Sequence, residues 1–175
     1  LLGIENARAS LSGLGHDTKA VNKIMGNALE AVKGTAFGMA EAGKTAASAV
    51  AAGVKPGKDL ERTLKLVGDA ATIANTDMGS MGAIFNKVAA NGKVTTQEMN
   101  QLADRGVPVW QYLSESLGVS NSELRKMIET GNVTADMFYG ALGPAVEGVA
   151  GVMGGSFLGS LGNAKAALSR LGALF

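Results

Sequence analysis

Apolar residues recur three and four positions apart through the middle of the chain, which is the spacing of one face of an α-helix. The first such face consists of Leu60, Leu64, Val67 and Ala71. The second face consists of Ile84, Phe85 and Val88. It follows Asp77, and Asp is a residue type that caps helix N-termini. The pattern predicts two short amphipathic helices in succession.

Glycines stand where these and later helical runs stop. Asn91-Gly92 follows the second run, and Gly106, Gly118 and Gly131 each follow a later one. Glycine adopts the left-handed backbone that commonly closes a helix, because it has no Cβ to clash with the neighbouring carbonyl. Four helix ends are therefore predicted at these glycines.

Polar pairs mark the helix starts between these glycines. Thr95 and Glu98 have the three-residue spacing of a capping box, and Ser120 and Glu123 have the same spacing. In a capping box each side chain satisfies a free backbone N–H beside the other. Two further helices are predicted to begin at these pairs.

A helix break at Lys55-Pro56-Gly57-Lys58 suggests a boundary, because proline cannot continue a helix and glycine tolerates the turn. Residues 1–57 before it form an Ala/Gly-rich segment with helix-compatible runs over 17–33 and 41–54. Residues 58–143 after it indicate a compact domain of about six short helices. Residues 144–175 form a Gly-rich apolar helical segment.

The fold class predicted for the whole chain is all-α, because no stretch alternates apolar and polar residues convincingly enough for a strand. The last helix of the compact domain is expected to begin at Thr134 and to stop at Gly143-Pro144. The organisation is then a multi-helix domain of short helices flanked by Ala/Gly-rich helices.

Composition narrows the function classes. The 175 residues include 25 glycines, no cysteine, a single histidine and a formal net charge of +1. Without thiols or a second imidazole, zinc and redox roles are disfavoured and no cofactor is expected. The small net charge gives none of the positive field that nonspecific nucleic-acid binding needs.

Catalytic patterns are incomplete. Ser156 lacks the strand and the following glycine of a nucleophile elbow. Gly38 to Thr45 has the spacing of a phosphate-binding loop, but no apolar strand leads into it. His16 lies in a predicted surface turn, and the carboxylates are spread over separate helices beside Lys or Arg. The sequence predicts a protein that is not an enzyme.

Met99 to Gly131 resembles a helix-turn-helix, in which a second helix over 121–130 would enter the DNA major groove. That helix carries Glu123 and Glu129 against Arg125 and Lys126, whereas phosphate anchoring needs surplus cations. The alternative is a helical hairpin whose core includes Leu124, Met127 and Ile128. We expect no sequence-specific nucleic-acid partner, although a DNA-binding regulator stays open as an alternative.

A glycine-rich stretch over residues 140–162 holds one ionisable side chain, Glu147. Gly151, Gly155 and Gly159 stand four apart, so on a helix they form a smooth stripe that admits a second backbone. Glycine lowers helix propensity and hydrophobicity, which argues against a permanent membrane span. Two interpretations stay open: a tightly packed helix pair, and a segment that contacts lipid in one state, as in a pore-forming protein.

One ordered set of motifs resembles a known family. It comprises the run 60–71, Gly92-Lys93-Val94-Thr95, the stretch from Glu98 to Pro108, Leu117-Gly118-Val119-Ser120 and Gly131-Asn132-Val133-Thr134. This order is similar to the domain shared by tail tape measure proteins of long-tailed bacteriophages and prophages. The motif and packing positions are Gly92, Glu98, Leu102, Gly106, Pro108, Trp110, Leu117, Gly118, Ser120 and Gly131.

The resemblance implies a helical virion protein held in several copies, for example a trimer, inside the tail tube or at the tail tip. It implies tail tube and tail-tip proteins as partners and a role in setting tail length during assembly. It also implies release on infection, with transient contact with the host envelope membrane while the genome passes. Trp110 is expected to be a packing anchor, or a partner contact if it is exposed.

Overall fold

The computed structural model describes residues 2–152 and 154, and this part of the chain is all-α, as predicted. Its helices are α1 (Leu2–Gly13), α2 (Thr18–Val32), α3 (Met39–Ala51), α4 (Lys58–Ala74), α5 (Met78–Asn91), α6 (Thr96–Asp104), α7 (Val109–Leu117), α8 (Asn121–Glu129) and α9 (Ala135–Val146). The six from α4 to α9 confirm the predicted number of short helices after the Pro56 break.

The first three helices pack closely because their contact residues are small. α1 packs on α3, and α2 packs on both α3 and α4. A Cβ added at Gly43 would lie 2.8 Å from Cε of Met25 and 3.3 Å from Cβ of Ala7, so a larger residue there would require the Met25 side chain to shift. The high glycine and alanine content of this region therefore allows short distances between helix axes, which contact between small residues permits.

The predicted break at Lys55-Pro56-Gly57-Lys58 is confirmed as a helix break, since α3 ends at Ala51 and α4 begins at Lys58. The buried apolar cluster nevertheless continues across it, from Ala7 in α1 to Val146 in α9. α3 also packs on α5. The division of the chain into the three predicted domains stays a prediction.

The predicted glycine helix ends are confirmed by backbone geometry. Gly92, Gly106, Gly118 and Gly131 have φ of +71°, +86°, +66° and +73°. These values lie in the left-handed region, which a side chain with a Cβ enters at a cost. Each glycine allows the chain to leave one helix and start the next within a few residues.

The predicted end of the last helix at Gly143-Pro144 is wrong, because α9 continues through Pro144 to Val146. Proline removes one hydrogen bond and usually clashes with the Cβ of the residue before it. Gly143 has no Cβ, so this clash is relieved. Burial of Leu142 and Val146 on either side holds the last turn against the core.

Two of the inter-helix turns pair with each other, which the sequence did not predict. Lys93 and Thr134 form an isolated antiparallel bridge. The Val94 N–H donates to the Val133 carbonyl at 3.0 Å, and the Ala135 N–H donates to the Gly92 carbonyl at 2.9 Å. The matching sequences Gly-Lys-Val-Thr and Gly-Asn-Val-Thr thus meet side by side and place both valines in the core.

Candidate functional site

The motif residues of the predicted family domain form helix ends and core contacts. Leu102 is fully buried, and Glu98 is buried with 2% exposure. The Glu98 carboxylate accepts from the Thr95 N–H at 3.2 Å and from the Thr95 hydroxyl. The predicted capping box is therefore formed, and it satisfies a carboxylate that would otherwise be costly to bury.

The second predicted capping pair uses its hydroxyl group. Ser120 Oγ accepts from the Glu123 N–H at 3.1 Å, and its hydroxyl donates to the Glu123 carboxylate at 3.2 Å. Gly118 precedes it as the left-handed C-cap of α7, and Leu117 packs half-buried against the core. Together these residues fix the sharp connection between α7 and α8.

Trp110 follows the exposed Pro108 in the first turn of α7 and is half-buried against the core. The Arg125 guanidinium of α8 lies 4.8 Å from the centre of the Trp110 ring, which is cation–π distance. The indole therefore joins α7 to α8, and its role as a packing anchor or a partner contact stays a prediction.

The helix-turn-helix alternative concerns α8, whose Leu124 and Ile128 are buried, as the hairpin interpretation predicts. Of the two cations on α8, Arg125 covers the Trp110 ring and so is engaged within the domain. Lys126 stands beside the acidic Glu123 and Glu129. The geometry gives α8 no concentration of positive charge for phosphate contacts.

An aromatic cluster joins α5 to α9. The ring centres of Phe85 and Phe138 are 5.4 Å apart, and those of Phe85 and Tyr139 are 6.2 Å apart. The Tyr139 hydroxyl is buried and has no hydrogen-bond partner among the described residues. Burial, helped by the Asp136 charge, raises the pKa of Tyr139 to about 12.

An open groove with a volume of about 1240 Å³ runs beside Tyr139, between α4 and α9. Charges of both signs line it, among them Lys33, Arg62 and Glu147. Arg62 pairs with Asp59 at 3.2 Å. The groove therefore presents no cluster of one charge that would select a charged ligand.

Asp69 forms the base of the groove on α4 and is 7% exposed. Its carboxylate accepts the Gly148 N–H at 3.3 Å and the Ala150 N–H at 2.9 Å. Burial raises the pKa of Asp69 above its ordinary value, the Glu147 charge raises it further, and the two backbone hydrogen bonds and Lys65 oppose the rise. Sequence reasoning missed this residue, because an Asp within a helix carries no local sign of its distant partners.

The catalytic patterns have no supporting geometry in the described residues. Gly38 to Thr45 lies at the start of α3 and within it, where the backbone N–H groups are not arranged as a phosphate loop. The Thr45 hydroxyl donates to the Glu41 carbonyl instead. No group of three or more His, Cys, Asp or Glu side chains in this part of the chain is placed to hold a metal ion. Ser156 lies outside the described residues.

The structure describes one of the three glycines in the predicted stripe. Gly151 is exposed, with open space where a Cβ would stand, and Gly155 and Gly159 lie outside the described residues. The membrane or helix-contact role of these three glycines stays a prediction. Among the described helices, none is long and apolar enough to cross a membrane.

Short capped helices, one continuous buried apolar cluster and motif positions used for turns define an all-α protein. The tape measure protein family matches residues 3–174 of the chain. The chain therefore belongs to the tape measure protein family, whose members are structural components of phage tails. No curated protein and no solved structure gave a match to the chain.

Proposed function

We propose that this chain is part of a tape measure protein that occupies the lumen of the phage tail tube and sets tail length during assembly. On infection the protein leaves the tube and assists passage of the genome through the host envelope. The observation that carries the proposal is the family match, which extends over residues 3–174. The all-α architecture supports it, because an α-helix rises by about 1.5 Å per residue, so the number of residues in a helical chain can set a length.

Helix length adds a constraint to this proposal. The longest described helix, α4, has 17 residues and spans about 25 Å. As one continuous helix, residues 2–152 would span about 230 Å at about 1.5 Å per residue. As a packed body of about 150 residues, they have an expected radius of gyration of about 15 Å. This region therefore adds much more length when extended than when folded.

A tandem duplication of this region in the full phage protein tests the length-setting role. Tails measured by electron microscopy should become longer, by up to about 230 Å if the region is extended in the tube. A gain of only a few tens of ångströms indicates that the region stays folded there. Phage carrying Gly140→Ala, which alters the gene without altering chain length, are the control. Unchanged tail length after the duplication would contradict the proposed length-setting role.

The partners proposed are further copies of this chain, the tail tube and tail-tip proteins, and the host membrane on infection. Support for membrane contact comes from the low charge of residues 140–162 and from Val152, which is 70% exposed. Dye release from loaded liposomes on adding the 175-residue chain checks the membrane proposal. An absence of release at all lipid compositions would remove it while leaving the length-setting role intact.

A further inference from the structure

The chain beyond α9 turns back onto the helical body. α9 ends at Val146, and Glu147 follows with φ of −51° and ψ of 127°. Gly148 then has φ of +82°. These three angles match the central residues of a type II turn, which requires a positive φ at the second position and so favours glycine. The chain is helical again over residues 149–152.

This new helical stretch begins without a cap of its own. The first N–H groups of a helix have no acceptor within the helix, and a side chain at the cap position normally supplies one. Gly148 occupies that position and has no side chain. Asp69 of α4 supplies the acceptor instead, through its bonds to the Gly148 and Ala150 amides. The cap comes from a residue 81 positions earlier in the chain.

A second contact fixes the same segment to the body. A Cβ at Gly154 would lie 2.5 Å from both the Gly34 carbonyl oxygen and the Thr35 Cα. These are backbone atoms of the turn between α2 and α3, so they cannot move aside as a flexible side chain would. Residues 147–152 and 154, here called the strap, are therefore held at Asp69 and at this turn.

Part of the strap is exposed. Ala150 is buried, whereas Gly151 is exposed and Val152 is 70% exposed. Segments that bury little apolar surface open at low free-energy cost without unfolding the rest of a protein. An acidic side chain is seldom buried unless it is paired, so the Asp69 carboxylate is the strong point of attachment.

We propose that the strap is a latch: Asp69 and the Gly154 contact fix the start of the C-terminal segment on the helical body. Loss of either contact releases the strap while α1 to α9 stay folded. The proposal rests on contacts within this chain and does not depend on the tail-lumen role. It assigns a conformational function to a glycine-rich region for which the sequence predicted only packing or lipid contact.

Amide hydrogen exchange on the 175-residue chain tests the Asp69 attachment. In Asp69→Asn one of the two acceptor oxygens becomes an NH2 donor facing a backbone donor. Exchange at Gly148 and Ala150 should accelerate by about tenfold or more. Asp59→Asn is the matched control, because it makes the same chemical change on α4 at an exposed residue whose partner among the described residues is Arg62. Exchange of the strap in this control should stay at the wild-type rate.

A second pair of variants tests the Gly154 contact without altering α4. Gly154→Ala should accelerate exchange in the strap, because its methyl group would collide with the Gly34–Thr35 backbone. Gly151→Ala adds the same methyl group to open space and should not accelerate it. Amides of the α5 core, such as that of Phe85, should keep their protection in all four variants.

Two results would overturn the latch. The first is strap exchange that stays at the wild-type rate in either Asp69→Asn or Gly154→Ala. The second is acceleration in the α5 core that equals the acceleration in the strap, because the strap would then be an integral part of the fold. If Asp69→Asn unfolds the whole chain, the comparison of Gly154→Ala with Gly151→Ala decides the question alone.

Discussion

At the scale of single residues, two of the buried polar groups, Asp69 and Tyr139, have pKa values shifted by their surroundings. The Asp69 carboxylate and the Tyr139 hydroxyl both lie on the core side of the groove. The carboxylate accepts hydrogen bonds from backbone amides, whereas the hydroxyl has no partner among the described residues. Burial opposes the charged form of each and raises both pKa values. Each group therefore affects stability in a way that a matched substitution can measure.

The Asp69 carboxyl should make stability depend on pH. Its pKa is raised in the folded protein, so between pH 3.8 and the folded value the folded state binds more protons than the unfolded state. The free energy of unfolding should therefore fall as pH rises through this window, relative to Asp69→Asn. Urea denaturation of both proteins between pH 3 and pH 7 measures the difference, in which the carboxyls that do not interact with Asp69 cancel. A difference that is constant with pH, or that rises, contradicts the assignment.

The Tyr139 hydroxyl should contribute nothing to stability, because it is buried and no described residue forms a hydrogen bond with it. Tyr139→Phe removes it and should leave the free energy of unfolding unchanged or raise it by up to about 1 kcal/mol. Tyr139→Leu also removes the ring beside Phe85 and should lower that free energy by at least about 1 kcal/mol. Urea denaturation measures both. A clear loss in Tyr139→Phe would show that the hydroxyl has a partner.

At the scale of helices, stability depends on how each short element starts and stops. The helices α6, α7 and α8 have nine residues each, too few to persist alone in water. Caps such as Ser120 and left-handed glycines such as Gly118 satisfy or redirect their ends. Tertiary packing of one apolar face on the shared core then supplies most of the remaining stability.

Some glycines are needed for a positive φ, whereas others lie inside a helix and only weaken it. Replacing one glycine of each kind by alanine separates these two roles. Gly118→Ala forces a Cβ into the left-handed region and should destabilise by about 1–2 kcal/mol, although space around it is open. Gly140→Ala lies within α9, also in open space, and should stabilise by up to about 1 kcal/mol. Thermal and urea unfolding measure both changes. Equal effects at the two positions would show that backbone conformation is not the deciding factor.

At the scale of the whole molecule, one buried cluster joins the Ala/Gly-rich helices to the domain that carries the family motifs. It extends from Ala7 to Val146, and α3 packs against α5 across the Pro56 break. Chains of this size with one core commonly unfold in a single cooperative transition. We expect α2 and α6 to lose protection together.

Gly82 tests this coupling at the α3–α5 contact. A Cβ there would lie 2.8 Å from Cγ2 of Thr45, which is itself buried. Gly82→Ala should lower the free energy of unfolding by about 1–3 kcal/mol through overpacking, and the loss should appear equally in α2 and α6 by hydrogen exchange. Gly26→Ala on α2, in open space, is the control. A loss of protection confined to α5 and α6 would show that the Ala/Gly-rich helices and the helices after the Pro56 break unfold separately.

The sequence alone determined features that depend on neighbouring residues. The spacing of Leu60, Leu64 and Val67, the Thr95–Glu98 cap and the glycine helix ends each act within a few positions, so local physics sufficed to predict them. The family also followed from sequence, because its motifs are ordered along the chain. The end of α9 was missed for the opposite reason, since burial of Val146 outweighed the local effect of Pro144.

Only the tertiary structure decided which distant residues meet. The Val94–Val133 hydrogen bond joins turns that are far apart in sequence, and the Asp69–Ala150 bond spans 81 residues. Neither pair has a periodicity or spacing that sequence could show, because their approach depends on how the intervening helices pack. The attachment of the strap, and with it the latch, is therefore a property of the packed core and not of any one segment.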